Sequence, residues 1–211
     1  LGAVLVGTGC YYSALIHDRL TIDPRAVAAA RAMRRYADRR GWSTAERFVL
    51  SEWGRNRMYN YLVGADARSY AFARATYEEF LFDDDATRWY RRLRDRVGFV
   101  VTRDLGGIAN AAQIYGRLQL HMGSADAGAE GTGHYRAVFA SEDGAYRAFA
   151  LVPGATIAGP VGPGVDRVAT TVSIPGAEFE YVRTVEPTGG PVAVTVAHPG
   201  RYRVGDRTVT V

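Results

Sequence analysis

The stretch Phe48–Gly64, FVLSEWGRNRMYNYLVG, decides how the rest of the chain is read. Phe48-Val49-Leu50 is apolar, prone to β structure and short, as a buried strand is. It stops at Ser51-Glu52-Trp53-Gly54-Arg55-Asn56-Arg57, a polar heptad with one Trp, three charges and a flexible Gly. This composition predicts a loop where the strand ends, and strand ends in α/β cores are where ligands are usually held. Met58, Tyr59, Tyr61 and Leu62 then predict a short helix, closed by Gly64 as a left-handed cap. Two readings of the heptad stand. Either Ser51 to Arg57 with Tyr59 form a binding surface, or Trp53 and the tyrosines are core beside a solvated edge of arginines.

Outward from this stretch, the N-terminal side begins with Leu1–Ile16, uncharged and rich in small residues. As a helix it would reach about 24 Å, short of the ~30 Å hydrocarbon core. It reads as the end of a membrane-proximal apolar segment, the tail of a spanning helix, against an ordinary apolar strand and turn. Asp23-Pro24 predicts a helix start with Asp as N-cap and Pro in the first turn. In that helix Val27, Ala30, Met33 and Ala37 share one face, and Arg31, Arg35 and Arg39 another. Gly41 ends it, and Trp42–Glu46 reads as a polar loop.

On the C-terminal side, Ala65–Ala71 is ambiguous between strand and loop, and Arg74–Phe82 and Thr87–Arg96 predict helices. Asp83-Asp84-Asp85 between them reads as a helix cap rather than a metal cluster. Val97–Thr102 is the clearest buried strand, and helix-then-strand repetition points to an α/β core. A third helix is expected over Ile108–Met122, followed by a flexible loop at Gly123–Gly133. Tyr135–Ala140 and Tyr146–Leu151 alternate around Ser141-Glu142-Asp143-Gly144, a hairpin signal. From Val152 onward helical periodicity is lost. Short β-prone runs follow at Ala155–Ala158, Val168–Ile174, Phe179–Val185, Val192–Ala197 and Arg203–Val211. The expected fold class is α+β: a mixed α/β core over residues 17–151 with helices around a small sheet, then a small β sandwich or barrel over 152–211.

Composition narrows the function. The chain has 211 residues and a net charge of +4, carried by 26 Arg with no Lys. Acids are interspersed with these, which argues against nucleic acid as a partner. Cys10 is the sole cysteine, so a disulfide framework and a cysteine zinc site are excluded. The four His show no ligand spacing, and no Gly-rich phosphate loop follows a strand.

The order of segments resembles the soluble C-terminal part of the catalytic subunit of archaeal oligosaccharyltransferases. The residues that carry it are Ile22-Asp23-Pro24 and its helix, Val49-Leu50-Ser51 running into a Trp-bearing stretch, the helix–strand pair ending in VGFVVT, and the hairpin. Val152–Gly159 followed by Gly162-Pro163-Gly164 resembles the opening of β units in such surface proteins. Members of that family are membrane enzymes that move a lipid-linked oligosaccharide onto Asn in Asn-x-Ser/Thr. The family motif Trp-Trp-Asp-Tyr-Gly, which receives the acceptor's Ser or Thr, corresponds here to Ser51-Glu52-Trp53-Gly54-Arg55. Its second motif, a helix with Asp-x-x-Lys, has only Asn110, Gln113 and Ile114 as counterparts.

The resemblance implies acceptor binding by Ser51, Glu52, Trp53, Gly54, Arg55, Asn56, Arg57 and Tyr59. It implies acceptor polypeptide and lipid-linked oligosaccharide as partners, and a divalent metal (Mn or Mg) for the parent glycosyltransferase, with no cofactor, metal site or catalytic residue in this stretch of chain. The place implied is the extracellular face of the cell membrane, with attachment upstream of residue 1. The alternative is a non-catalytic extracellular module that binds glycan or protein, with Tyr59, Tyr61, Tyr70 and Tyr77 as stacking platforms.

Overall fold

The computed structural model describes residues 22–64, 70–107, 110–126, 128–162, 164–186 and 191–211. Leu1–Ile16 and most of Ala65–Ala71 lie outside these. Helix α1, Pro24–Arg40, starts as the sequence predicts: Asp23 accepts from the Arg25 N–H, and Gly41 closes the end at φ 65°. Its inner face of Ala26, Ala29, Ala30, Met33 and Ala37 is wholly buried. Trp42–Glu46 is not an open loop. Thr44–Arg47 forms a 3₁₀ turn with a Ser43/Glu46 capping box, and Trp42 packs on Tyr36 and Phe99.

The first sheet has the order β1-β2-β4-β3: β1 Val49–Leu50, β2 Phe99–Arg103, and the expected hairpin β3 Tyr135–Ala140 and β4 Tyr146–Leu151. β1 and β2 run parallel, whereas β4 is antiparallel to both of its neighbours. Alternation along the strands splits the core between the two faces. Val49, Phe99, Val101, Ala148 and Ala150 meet α1 and α2 (Trp53–Gly64). Leu50, Val100, Phe149 and Leu151 meet α3 (Tyr70–Phe82), α4 (Ala86–Leu93) and α5 (Ile114–Gln119). The sheet is thus covered by helices on both faces.

Two helices differ from expectation. α2 begins at Trp53, so Trp53–Arg57 is a helical turn and not a loop. The cause is long-range: Asn56 and Asn60, one turn apart, both turn their carboxamides onto Val49 and fix the helix against the strand. Gly64 is the last helical residue without a left-handed φ, and an added Cβ would touch Arg47 Cβ at 3.4 Å. α5 is shorter than Ile108–Met122. Gly116 packs so tightly on the Asn110 carbonyl that the preceding segment folds back over it. The helix ends at Gln119 with Leu120 as cap, and the chain then turns through Met122 at φ 56°.

The β-rich part holds β5 (Ala155–Pro160) paired with β8 (Pro191–Val196), and a four-stranded sheet β10-β9-β6-β7. β6 is Arg167–Ile174, β7 Ala177–Thr184, β9 Arg201–Val204 and β10 Arg207–Thr210. Neither sheet closes into a barrel. The run Arg203–Val211 is not one strand: a turn at Gly205 (φ 57°) splits it between β9 and β10, which pair as a hairpin. Val168, Tyr181, Val194 and Tyr202 join the same apolar cluster as α1 and β2. The fold is α+β.

Candidate functional site

Because β1 and β2 are parallel, their C-terminal ends emerge side by side. Ser51 and Glu52 leave one strand as Thr102 and Arg103 end the other. Between them lies a crevice lined by Ser51, Glu52, Tyr59, Tyr77, Val101, Thr102, Arg103 and Tyr146. Its free volume of about 10 Å³ is room for a single water or hydroxyl.

The walls are braced from every side. Glu52 accepts from Arg103 Nε at 2.6 Å and pairs with Arg55 Nε at 3.1 Å. Burial works to lower the Arg103 pKa, but the charge and hydrogen bond of Glu52 outweigh it and hold the guanidinium charged. Tyr77 Oη donates to the Val101 carbonyl at 2.7 Å. Tyr115 Oη donates to the Arg103 carbonyl at 3.1 Å and accepts from the Leu105 N–H at 2.8 Å. Thr102 Oγ1 donates to Gln119 Oε1 at 2.6 Å. On the Tyr146 side, Arg25 bridges Asp23 and Asp143.

Among the residues that line the crevice, one buried polar atom has no partner. Tyr59 is 1% exposed and its hydroxyl makes no hydrogen bond. Burial, with Tyr146 adding to it and Arg55 opposing, raises its pKa far above the usual phenol range, so it stays protonated and able to donate. A buried hydroxyl left unsatisfied costs free energy that a bound acceptor would recover.

The residues named from the sequence divide into three groups. Ser51, Glu52 and Tyr59 line the crevice, and Arg55 reaches it through Glu52. Asn56 is turned inward: its Nδ2 donates to the Val49 carbonyl at 2.7 Å and to Ser51 Oγ at 3.3 Å. Trp53, 56% exposed, lies on the outer side of α2 with the Arg74 guanidinium 5.9 Å from its ring. Gly54 beside it opens onto free space. Arg57 stacks 4.3 Å above the Tyr70 ring. Of the three second-motif residues only Ile114, fully buried, is on the helix; Gln113, half-buried, is its N-cap, and Asn110 lies before it, exposed, with Oδ1 accepting from the Ala112 N–H. That helix reaches the crevice walls through Tyr115 and Gln119 instead. Arg103, Thr102 and Tyr146 were not named as site residues from the sequence, and Tyr77, expected as a stacking platform, is buried and serves as a wall through its hydroxyl. The signal for Arg103 was its place at the end of VGFVVT, once β2 is paired parallel with β1.

Among the described residues no group of three His, Cys, Asp or Glu is placed to hold a metal. Glu52, the crevice carboxylate, is already held by two guanidiniums, so the crevice does not fit a divalent ion. Asp85 caps α4 through the Arg88 N–H, and Asp83 accepts from the Asp85 N–H. A wider groove of about 520 Å³ lies elsewhere, between residues 120–126 and β6 and β7. Its polar side chains are largely engaged already: His121 Nδ1 lies 3.0 Å from Asp126 Oδ2, and Glu180 pairs with Arg203 at 2.9 Å. His121 Nε2 also lacks a partner there, but its ring is partly exposed. The crevice, at a strand-end junction and lined by a buried hydroxyl without a partner, is the stronger candidate.

No protein-family model and no curated protein sequence matches the chain. Solved structures do. The apo crystal structure of the Archaeoglobus fulgidus oligosaccharyltransferase superposes with TM-score 0.60 at 13% identity, over 90% of this chain and 41% of that one. The same organism's oligosaccharyltransferase AglB, in complex with an inhibitory peptide and a dolichol-phosphate, gives 0.57 at 12% identity, with 90% and 41% covered. Its complex with Zn and sulfate gives 0.57 at 12%, with 90% and 44% covered. The chain therefore has the fold of a segment less than half the length of these proteins. No helix among the described residues is long and apolar enough to cross a membrane.

Proposed function

We propose that this chain is the extramembrane part of an oligosaccharyltransferase-type enzyme of protein N-glycosylation, and that the crevice between β1 and β2 receives a hydroxyl side chain of the acceptor polypeptide. The observation that carries the reading is Tyr59. Its buried, protonated, unpartnered hydroxyl belongs to a residue that lines a space the size of one hydroxyl group, beside the paired Glu52 carboxylate and Arg103 guanidinium. Trp53, exposed at the head of α2 with Gly54 leaving room beside it, is the wall along which the peptide backbone lies. The fold shared with the Archaeoglobus fulgidus enzyme supports the N-glycosylation part of this reading.

Sugar transfer requires the membrane part, which supplies the lipid-linked oligosaccharide and the divalent metal, Mn or Mg. The site lies on the extracellular face. This chain alone binds acceptor and does not transfer.

The test is a titration of Asn-x-Thr and Asn-x-Val peptides, which match in shape and differ in the hydroxyl. A site built around a hydroxyl rejects an analogue that lacks it, because its own polar groups stay unpaired. Wild type should prefer the Thr peptide at least tenfold. Tyr59→Phe should abolish the preference without loss of stability, since it deletes an unsatisfied group. Equal affinity for the two peptides in wild type would sink the proposal. Trp53→Ala should weaken both peptides by about 2 kcal/mol, read from quenching of Trp fluorescence. Robust transfer by the chain alone would overturn the division of labour.

A second reading, a glycan- or protein-binding module without catalysis, is favoured by the exposed rings of Trp53 and Tyr61. It predicts binding that Trp53→Ala abolishes and Tyr59→Phe leaves unchanged.

A further inference from the structure

Most arginines of the described surface have work to do. Arg25, Arg47, Arg55, Arg88, Arg92 and Arg103 each meet a carboxylate. Four on the outer face of α1 do not. Arg31, Arg34, Arg35 and Arg39 are exposed and have neither an acidic partner nor a ring beneath them. Arg31, Arg35 and Arg39 stand one turn apart in a row about 12 Å long, and like charges at this spacing repel. The one acid on the helix, Asp38, is taken by Arg47 at 2.6 Å. Helix-end electrostatics account for Arg39 but not for three arginines in the middle. The opposite face of α1 is buried alanine and Met33, so the row is held rigid.

We propose that the outer face of α1, through Arg31, Arg34, Arg35 and Arg39, docks on the anionic headgroup surface of a lipid bilayer. Charge complementarity calls for a polyanion, and two features select a lipid surface over a nucleic acid. The single aromatic of α1, Tyr36, is engaged by Arg40 above its ring and by Arg136 at its hydroxyl, so no platform is left on which a base could stack. The apolar run Leu1–Ile16 precedes Pro24 by seven residues, 17–23, which span about 25 Å at most. If that run enters a membrane, α1 is tethered within reach of its headgroups. Ile22, exposed just before the helix, adds an apolar contact at the same end. The proposal does not depend on the crevice.

The test is co-sedimentation of the 211-residue chain with vesicles of phosphatidylcholine containing about 30% phosphatidylglycerol, against phosphatidylcholine alone. The wild type should prefer the anionic vesicles by roughly 100-fold, and raising the salt should erode the preference, since the attraction is screened within a Debye length. The variant R31Q/R34Q/R35Q/R39Q should lose it. The same four positions changed to Lys should keep it, because headgroup attraction needs charge and not guanidinium geometry. A control removing four exposed arginines elsewhere, R91Q/R167Q/R201Q/R207Q, should also keep it. Equal binding to both vesicles, equal loss in the control, or loss in the Lys variant would overturn the proposal. So would a single-stranded oligonucleotide that displaces the vesicles through the same four residues.

Discussion

Asn60 completes the edge of a sheet with a side chain. Its Oδ1 accepts from the Val49 N–H at 2.8 Å and its Nδ2 donates to the Val49 carbonyl at 3.0 Å, as a neighbouring strand would. Asn60→Ala should strip the buried Val49 N–H of its partner, leave its carbonyl with the Asn56 carboxamide alone, and cost about 2 kcal/mol in urea unfolding. Asn60→Asp should be no better, since it keeps the acceptor and loses the donor. His198 shows a second cost of burial. It is enclosed by Tyr181 and Phe179, and desolvation, with Arg136 adding to it, depresses its pKa to about 3. The unfolded ring takes its proton near pH 6.5. Below that pH the unfolded chain binds a proton that the folded chain refuses. The stability associated with a neutral His198 is complete above pH 6.5 and drains away as the pH falls toward 3. His198→Leu should flatten a stability profile over that window. A profile unchanged by the substitution would rule out His198 as its source.

Among elements, the short parallel pair of β1 and β2 does the positioning, since it sets Glu52 against Arg103 and leaves the small space beside that pair. What the sequence made legible was local. Asp23-Pro24 carries its own cap, the hairpin of β3 and β4 has alternation and a turn in one window, and VGFVVT is apolar throughout. What it hid was settled through space. Trp53-Gly54-Arg55 has the composition of a loop, and only the ties of Asn56 and Asn60 to Val49 make it helix. Half of the crevice was readable at Ser51, Glu52 and Tyr59. The other half was not, because Arg103 and Tyr146 reach it through strand register, which no spacing in the chain encodes. The stretch Gly123–Gly133 is a similar case. It reads as a free loop, yet Thr132 is buried with its carbonyl accepting from Tyr181 Oη, and Gly131 and Gly133 press on the Val182 and Thr195 carbonyls. Amide exchange at Thr132, whose N–H donates to the Gly123 carbonyl, should therefore be slow, and protease should spare Gly131–Gly133. Fast exchange there would contradict this packing.

Across the whole molecule the helical and β-rich parts are stitched by backbone contacts that allow no side chain between them. The Ala140 N–H donates to the Pro175 carbonyl, and Gly176 at φ 88° lies so near the Ala140 carbonyl that an added Cβ would sit 1.8 Å from it. Gly176→Ala should cost about 3 kcal/mol or more through strain and forced separation, visible as a lowered Tm. A variant as stable as wild type would mean the contact opens freely. The parallel pair has a further consequence, in time. Val49 finds its partner at Phe99, whose other neighbour is Ala150, and the Glu52–Arg103 pair closes across 51 residues of chain. Pairings this distant in sequence form slowly. On a growing chain β1 must wait for three helices' worth of synthesis before it has a strand to lie against. The crevice thus forms only after α2, α3 and α4, and a newly made chain has those helices before it has its site.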